Sequence, residues 1–476
     1  MIERLVEADP NDLEGLRAQL RAADPEERLR PIGIKHVEIG PDALTALPEA
    51  VADISRGLGV VLVMDSTPMR RGGEDLKDLV ERMLARRFEV QRVVIGANRS
   101  ALHADEEALA EAEAAVVDAG CVVAVGSGTI TDISKEATAR TGSPPLVVVQ
   151  TAASVNAFSD DMAVLFKAGA KRTVASRWPD VLLVDLAVLG SAPPAMNLAG
   201  FGDLISTWTA PADWYLASAV GMDDSYHEAP IALVREGARR LLDDAPKLRR
   251  SDPDALDRLA RVLTLSGFTL GIAGKTAPLS GTEHLVSHLV DMAAEQCGLP
   301  LAFHGAQVAV AAVPVAAAWR LFLEEFDPST VDTDQLFPDE TEMEPLVRES
   351  FSGIDPSGVV GEECWSDYRR KLASWHAARP RVEAFLRSWP EHRARLKEMV
   401  LPPERLTRAL REAGAPARFS ELEPPVEPEI ARWALKNCHF MRNRFTLADL
   451  LFFAGRWDED LTWELLERAR SAGGGL

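Results

Sequence analysis

The chain has 476 residues, 47% of them hydrophobic, which is long enough for two or three domains and apolar enough for a large core, so it is neither disordered nor fibrous. Its 73 acidic and 52 basic residues give a formal charge of -21; that is the wrong sign for a nucleic-acid or anionic-membrane surface, which leaves a small-molecule partner. Four cysteines (Cys121, Cys297, Cys364, Cys438) lie far apart with no CxxC pair, offering neither a thiolate zinc site nor a disulfide framework and fitting a reducing cytoplasm.

The N-terminal MIERLVEADP carries charge within three residues and has no apolar core, which reads against a secretory signal. Leu5, Leu13, Leu16 and Leu20 keep helical spacing up to Pro31, so residues 1–30 are expected to form a helical arm. From Gly59 the texture changes. GVVLVMD reads as a buried strand ending at Asp65, followed by a charged helix from about Glu74 to Arg87. The unit repeats through VQRVVIG, DEEALAEAEAAVVDAG, CVVAVGSG, DISKEATARTG and LVVVQT. Strands alternating with helices predict a doubly wound, Rossmann-like α/β domain over residues 31–193, with its ligand beyond the carboxyl ends of the strands.

After Pro194 strand signals fade, and IALVREGARRLLDDA, LDRLARVLTLSGFTLGIAG and HLVSHLVDMAAEQ keep a helical period. Residues 194–476 are therefore expected to be an all-α domain, with the cleft between the two halves as the default binding site. Val308–Trp319, which contains Pro314, is too short to span a bilayer and reads as a buried helix. Residues 327–363 are acidic and punctuated by Pro and Gly, hence an exposed excursion.

Three segments carry chemistry. Gly126, Ser127 and Gly128 stand between a strand and a helix, where backbone amides can hold a pyrophosphate; the GxGxxG fingerprint is incomplete, and a plain tight turn is equally consistent. Asp65 is either an acceptor for ribose hydroxyls or a helix N-cap. In SGTEHLVSHLVDM, Ser280 and Glu283 fit a capping box, so His284 and His288 project from one helix face, as metal ligands, as one metal and one substrate ligand, or as a polar surface. His304 opens the apolar helix beside Gly305, where a buried imidazole needs a partner. Asp203 in NLAGFGDLISTW is an oxygen ligand or a carboxylate compensating a helix dipole. One carboxylate and two imidazoles leave a coordination position for substrate.

Taken in order, LHADEEAL, GSGTITDISK, TAASVNAFS, AGFGDLIS, SGTEHLVSHLVDM, FHGAQVAV and MRNRFTLADL resemble the sn-glycerol-1-phosphate dehydrogenase family, within the superfamily of iron-containing alcohol dehydrogenases, glycerol dehydrogenase and 3-dehydroquinate synthase. The resemblance implies an N-terminal Rossmann-like domain, a C-terminal helical domain and an active site between them. It implies Asp203, His284 and His304 as ligands of one divalent metal, zinc first and then iron, nickel or manganese. It implies His288 as the group facing substrate, and Gly128, Thr129, Asp132, Thr151 and Ser154 as contacts to NAD or NADP. The expected reaction interconverts dihydroxyacetone phosphate and sn-glycerol 1-phosphate, or a related small polyol or phosphorylated alcohol. A dehydroquinate synthase-like carbocyclic lyase that uses NAD transiently is the alternative, and a homodimer is expected. Two positions depart from the pattern: Asn156 replaces an aspartate at the substrate and nicotinamide contact, and Asp160 replaces a serine that touches the cofactor. Lys171 and Arg172 are candidates for a substrate phosphate, or a solvated loop.

Overall fold

The computed structural model describes Leu5 and residues 8–57, 59–99, 102–167 and 170–476. Residues 1–4, 6 and 7 of the expected arm lie outside the described residues. Among the described residues ten strands follow in chain order: β1 (His36–Gly40), β2 (Gly59–Met64), β3 (Arg70–Arg71), β4 (Glu74–Asp75), β5 (Glu89–Val94), β6 (Cys121–Gly126), β7 (Leu146–Gln150), β8 (Met162–Lys167), β9 (Ala170–Ala175) and β10 (Val181–Asp185). Six pair in parallel in the order β1-β10-β7-β6-β2-β5, while β3-β4 and β8-β9 form small ribbons.

Strands β6, β7 and β10 are buried along their whole length because they are continuous apolar runs rich in valine, the composition of a sheet covered on both faces. Each fully buried valine or leucine stabilises the fold by about 1.5–3 kcal/mol. Winding runs outward from β2 to β5, then resumes at β6 and proceeds the other way to β7 and β10. The loops after β2 and β6 therefore diverge, and a crevice opens at the ends that carry Asp65 and Gly126–Gly128.

Several elements differ from expectation. β1 and β10 are strands that the sequence did not announce; each is five residues long, and β1 ends on charged or small residues. The helix after β6 starts at Gly128, not at Asp132, because Ser127 already serves as its N-cap. The helix after β2 is Leu76–Leu84, capped by the Asp75 carboxylate, which accepts from the Asp78 amide. Within the arm, Leu13–Ala23 is helical and buries Leu13, Leu16 and Leu20. It docks through Asn11, whose side-chain amide donates to the Ile39 carbonyl and accepts from the Ile39 N–H, both at 3.0 Å, and so occupies part of an edge strand that would otherwise be unpaired.

The chain divides into two compact units, one of Met1–Lys167, Lys171–Phe201 and Ala229–Gly274, the other containing Gly202–Glu228 and Lys275–Leu476. The division expected at 193/194 is thus not a single cut. The Pro253–Ala273 helix belongs to the sheet unit, where the Ser159 hydroxyl donates to its Thr264 carbonyl at 2.9 Å. In the helical unit the central element is His304–Glu325, longer than Val308–Trp319. It is apolar and long enough to cross a membrane, yet 89% of its most apolar window is buried inside the protein. The stretch 327–363 is not a bare exposed excursion: it contains the Glu340–Ser352 helix, with a capping box at Asp339 and Glu342 and with Met343, Val347 and Phe351 buried. Apolar residues at spacings of four supply a buried stripe that the acidic composition conceals.

Candidate active site

Asp203 stands in the last turn of the Pro194–Leu204 helix, where the helix dipole disfavours a carboxylate, so dipole compensation is not its role. Gly202 explains how it reaches the histidines. A Cβ there would lie 2.4 Å from the Gly305 carbonyl oxygen, so two glycines let the backbones touch and bring Asp203 beside the start of the His304–Glu325 helix. His284 occupies the first turn of the Thr282–Gln296 helix.

One potential ligand atom from each of Asp203, His284 and His304 lies within 4.8 Å of the others. Asp203 Oδ1 and His284 Nε2 are 3.4 Å apart, which is about the edge of a tetrahedron with ligand bonds of about 2.1 Å. Asp203 Oδ1 is buried and makes no hydrogen bond among the described residues, an arrangement costly for a carboxylate unless a cation sits on it. The donor set and this orphaned oxygen fit a divalent metal. The His288 ring is stacked on that of His304, with centroids 5.3 Å apart, and is 6.3 Å from that of His284, so all three imidazoles cluster.

Glu283 is the residue that the sequence misassigned. Ser280 and Glu283 make no capping box. Gly281 is the N-cap, the Ser280 hydroxyl accepts from Arg444, and Glu283 turns inward to full burial. There its Oε1 accepts from His284 Nδ1 at 2.9 Å and from the Gly281 amide at 2.7 Å, and its Oε2 accepts from the Thr209 hydroxyl at 2.8 Å. The Nδ1–H bond to a carboxylate leaves Nε2 as the ligand nitrogen and raises its basicity. Burial would depress the His284 imidazole, but Asp203 and Glu283, one at each nitrogen, raise its pKa. Behind them Asp213 accepts from the Thr282 amide and hydroxyl and from the Leu447 amide; burial first and Glu283 second push its carboxyl up to about 7. A glutamate directly before a histidine at a buried helix start was the only sequence signal for this arrangement.

In the sheet unit the loops after β6 and β7 come together: Ser127 Oγ is 2.6 Å from Ser154 Oγ, and the Thr151 amide donates to the Gly126 carbonyl at 3.1 Å. Ser127 makes no side-chain cap bond, so the first amides of the Gly128–Arg140 helix, with exposed Thr129, are free of a side-chain acceptor at an anion-favouring end. Gly126 has a packing reason as well: a Cβ would meet that of Ile130 at 2.5 Å. Asp65 is not a helix N-cap; it accepts from the Thr67 amide at 2.9 Å in a turn and lies 3.7 Å from Lys77 Nζ.

Asp132 and Asp160 are turned away from a role as open cofactor contacts. Both pair with fully buried Lys135, whose Nζ is 2.6 Å from Asp160 Oδ1 and 3.3 Å from Asp132 Oδ1 and which also donates to the Ala157 carbonyl at 2.6 Å. Burial lifts the Asp160 carboxyl to about 6, against the pull of Lys135. The charge of the Asp160 carboxylate is thereby compensated from within. Asn156 heads the Ala157–Ser159 turn and makes no side-chain capping hydrogen bond there. Lys171 and Arg172 lie in β9, not in a loop, and the charge of Lys171 is felt at Asp132.

Residues 38–193 match the family model for iron-containing alcohol dehydrogenase. The chain is 28% identical over 419 residues to the NAD(P)+ glycerol-1-phosphate dehydrogenase of Bacillus licheniformis, covering 87% of this chain and 88% of that one. It is 30% identical over 282 residues to that of Haloquadratum walsbyi, covering 59% and 76%. Its fold is similar to that of a probable glycerol dehydrogenase from Sinorhizobium meliloti 1021, with a TM-score of 0.57 at 17% identity over 93% of this chain and 99% of the other.

Proposed function

Because the chain belongs to the glycerol-1-phosphate dehydrogenase family of iron-containing alcohol dehydrogenases, we propose that it interconverts dihydroxyacetone phosphate and sn-glycerol 1-phosphate with NAD(P)(H) and one divalent metal. It is an oxidoreductase acting on CH–OH groups. The observation that carries the rest is the convergence of His284 Nε2 on the orphaned Asp203 Oδ1 at 3.4 Å, with Glu283 behind the ring. When bound, the ion at Asp203, His284 and His304 supplies positive charge to polarise a carbonyl, and the reduced nicotinamide supplies hydride.

The chain's own groups do the remainder. His288, beside His304, is our choice to hold a substrate hydroxyl and move its proton. The Asn156 side chain can hydrogen-bond a hydroxyl but cannot take its proton. Gly126, Ser127, Gly128, Thr129, Thr151 and Ser154 support a dinucleotide-binding reading, and Lys171 with Arg172 are our candidates for the substrate phosphate. Zinc is our choice of ion from two imidazoles and a carboxylate.

The test is NADH and NADPH oxidation by zinc-loaded protein with dihydroxyacetone phosphate, beside a chelator-treated control. Chelator-sensitive oxidation supports the assignment. Binding of metal and dinucleotide without net oxidation sinks it and turns attention to a cyclase-type reaction.

A further inference from the structure

Next to the metal centre the Thr282–Gln296 and His304–Glu325 helices bury three polar side chains: Ser287 at 0%, Asp291 at 1% and Gln307 at 1% exposure. Ser287 and Asp291 share one helix face, one turn apart, and Gln307 lies one turn beyond His304. They make a continuous chain. Gln307 Nε2 donates to Asp291 Oδ1 at 2.8 Å, the Ser287 hydroxyl donates to Gln307 Oε1 at 2.8 Å, and Ser287 Oγ lies 3.1 Å from His304 Nδ1.

The direction of this chain is determined at its far end. A carboxylate only accepts, so the Gln307 amide must turn its NH2 towards Asp291 and present its carbonyl oxygen to Ser287. Ser287 has one hydroxyl proton, and Gln307 takes it. Towards His304, Ser287 can therefore only accept, which requires the proton of the imidazole to sit on Nδ1 and leaves the lone pair on Nε2.

We propose that Ser287, Gln307 and Asp291 are positioning residues that lock His304 as its Nδ1–H tautomer, making Nε2 its metal donor. This rests on the metal-centre reading above. His284 obtains the same result in one step from Glu283, while His304 obtains it through three links that end on a carboxylate. A metal-ligand histidine whose second nitrogen loses its partner binds metal more weakly by about 10- to 100-fold.

The experiment measures zinc affinity by chelator competition, with metal-free thermal unfolding as a check on fold. Ser287→Ala removes the link. Gln307→Met keeps the volume and frees the Ser287 hydroxyl to donate to His304, allowing the wrong tautomer. Each variant is expected to lose about 10- to 100-fold in affinity with an unfolding midpoint near that of the parent. Asp291→Asn puts an amide that can donate as well as accept where the carboxylate only accepts, so the direction is no longer fixed and a loss of zinc affinity smaller than that of Ser287→Ala is expected. A loss as large as that of Ser287→Ala would mean that the charge of Asp291, and not the direction it sets, supports His304. Parent-like zinc affinity in Ser287→Ala or Gln307→Met overturns the relay and leaves the metal centre standing. Should one of these two fail to fold, the other decides the matter. Failure of the parent protein itself to take zinc, with dinucleotide binding intact, overturns the metal-centre reading and the relay with it.

Discussion

At the scale of single residues, the three side chains proposed as ligands stood out in the sequence, and the groups that hold them in place did not. With only nine histidines in the chain, two of them one helical turn apart and a third at an apolar helix start narrow the choice sharply. Glu283 was hidden because S-x-x-E before an apolar run also describes a helix cap, and only the folded backbone shows Gly281 in that place. Glu283→Gln keeps a hydrogen-bond acceptor for His284 but removes the charge, so zinc affinity in a chelator competition should fall by about tenfold or more. An unchanged affinity would show that the carboxylate is there for the Gly281 and Thr209 bonds alone. The pairing of Asp160 with Lys135 was likewise hidden because the two are 25 residues apart in sequence. Lys135→Met would strand two buried carboxylates, and a loss of about 3–5 kcal/mol in urea unfolding is expected; a loss below about 1 kcal/mol would mean that water reaches the pair.

At the scale of elements, long apolar or strongly periodic segments were readable, and short or compositionally disguised ones were not. The runs that became β2, β6 and β7 announced themselves. β1 mixes His36 and Glu38 with its apolar residues and so carries no apolar run, and β10 is an apolar run as short as β7 but lies outside the strand-helix repeat. The Glu340–Ser352 helix was lost behind its acidic face although Met343, Val347 and Phe351 recur every fourth position. The close approach at Gly202 was also invisible, since a glycine in a helix says nothing of what it faces. Gly202→Ala would place a methyl 2.4 Å from the Gly305 carbonyl oxygen. The helix must retreat, costing about 1–3 kcal/mol by the general penalty for overpacking and carrying Asp203 away from His304. A lower melting temperature with weakened zinc binding is expected. Gly190→Ala is the control: it sits in the Leu186–Ser191 helix with nothing within 4 Å of its Cβ and should raise stability by about 0.4–1 kcal/mol. Equal effects of the two substitutions would refute the close-contact argument.

At the scale of the whole molecule, the class of fold followed from strands alternating with helices, but the partition did not, because periodicity shows that a helix has an apolar face and not what that face covers. Residues 229–274 read as part of the helical half and belong with the sheet. Each unit carries a buried carboxyl with a raised pKa, Asp160 at about 6 in one and Asp213 at about 7 in the other. In the unfolded chain both return to about 3.9. Between about pH 4 and about pH 7 these two folded carboxyls therefore hold protons that the unfolded chain has released, and their contribution to stability falls as pH rises, by at most about 1.4 kcal/mol per pH unit for each proton of difference. His439, whose imidazole burial holds well below its usual range, contributes in the opposite direction near the ordinary histidine pKa. Self-repulsion of a chain with a formal charge of -21 acts in the same direction as the carboxyls, so a variant is needed to separate the two. Asp213→Asn removes one titrating carboxyl and changes the formal charge by a single unit. Metal-free protein should be less stable to urea at about pH 7.5 than at about pH 5.5. The variant should be weaker at the lower pH, because an amide serves the Thr282 and Leu447 donors poorly, yet flatter between the two. A slope matching that of the parent would assign the pH dependence to overall charge and remove Asp213 from the account.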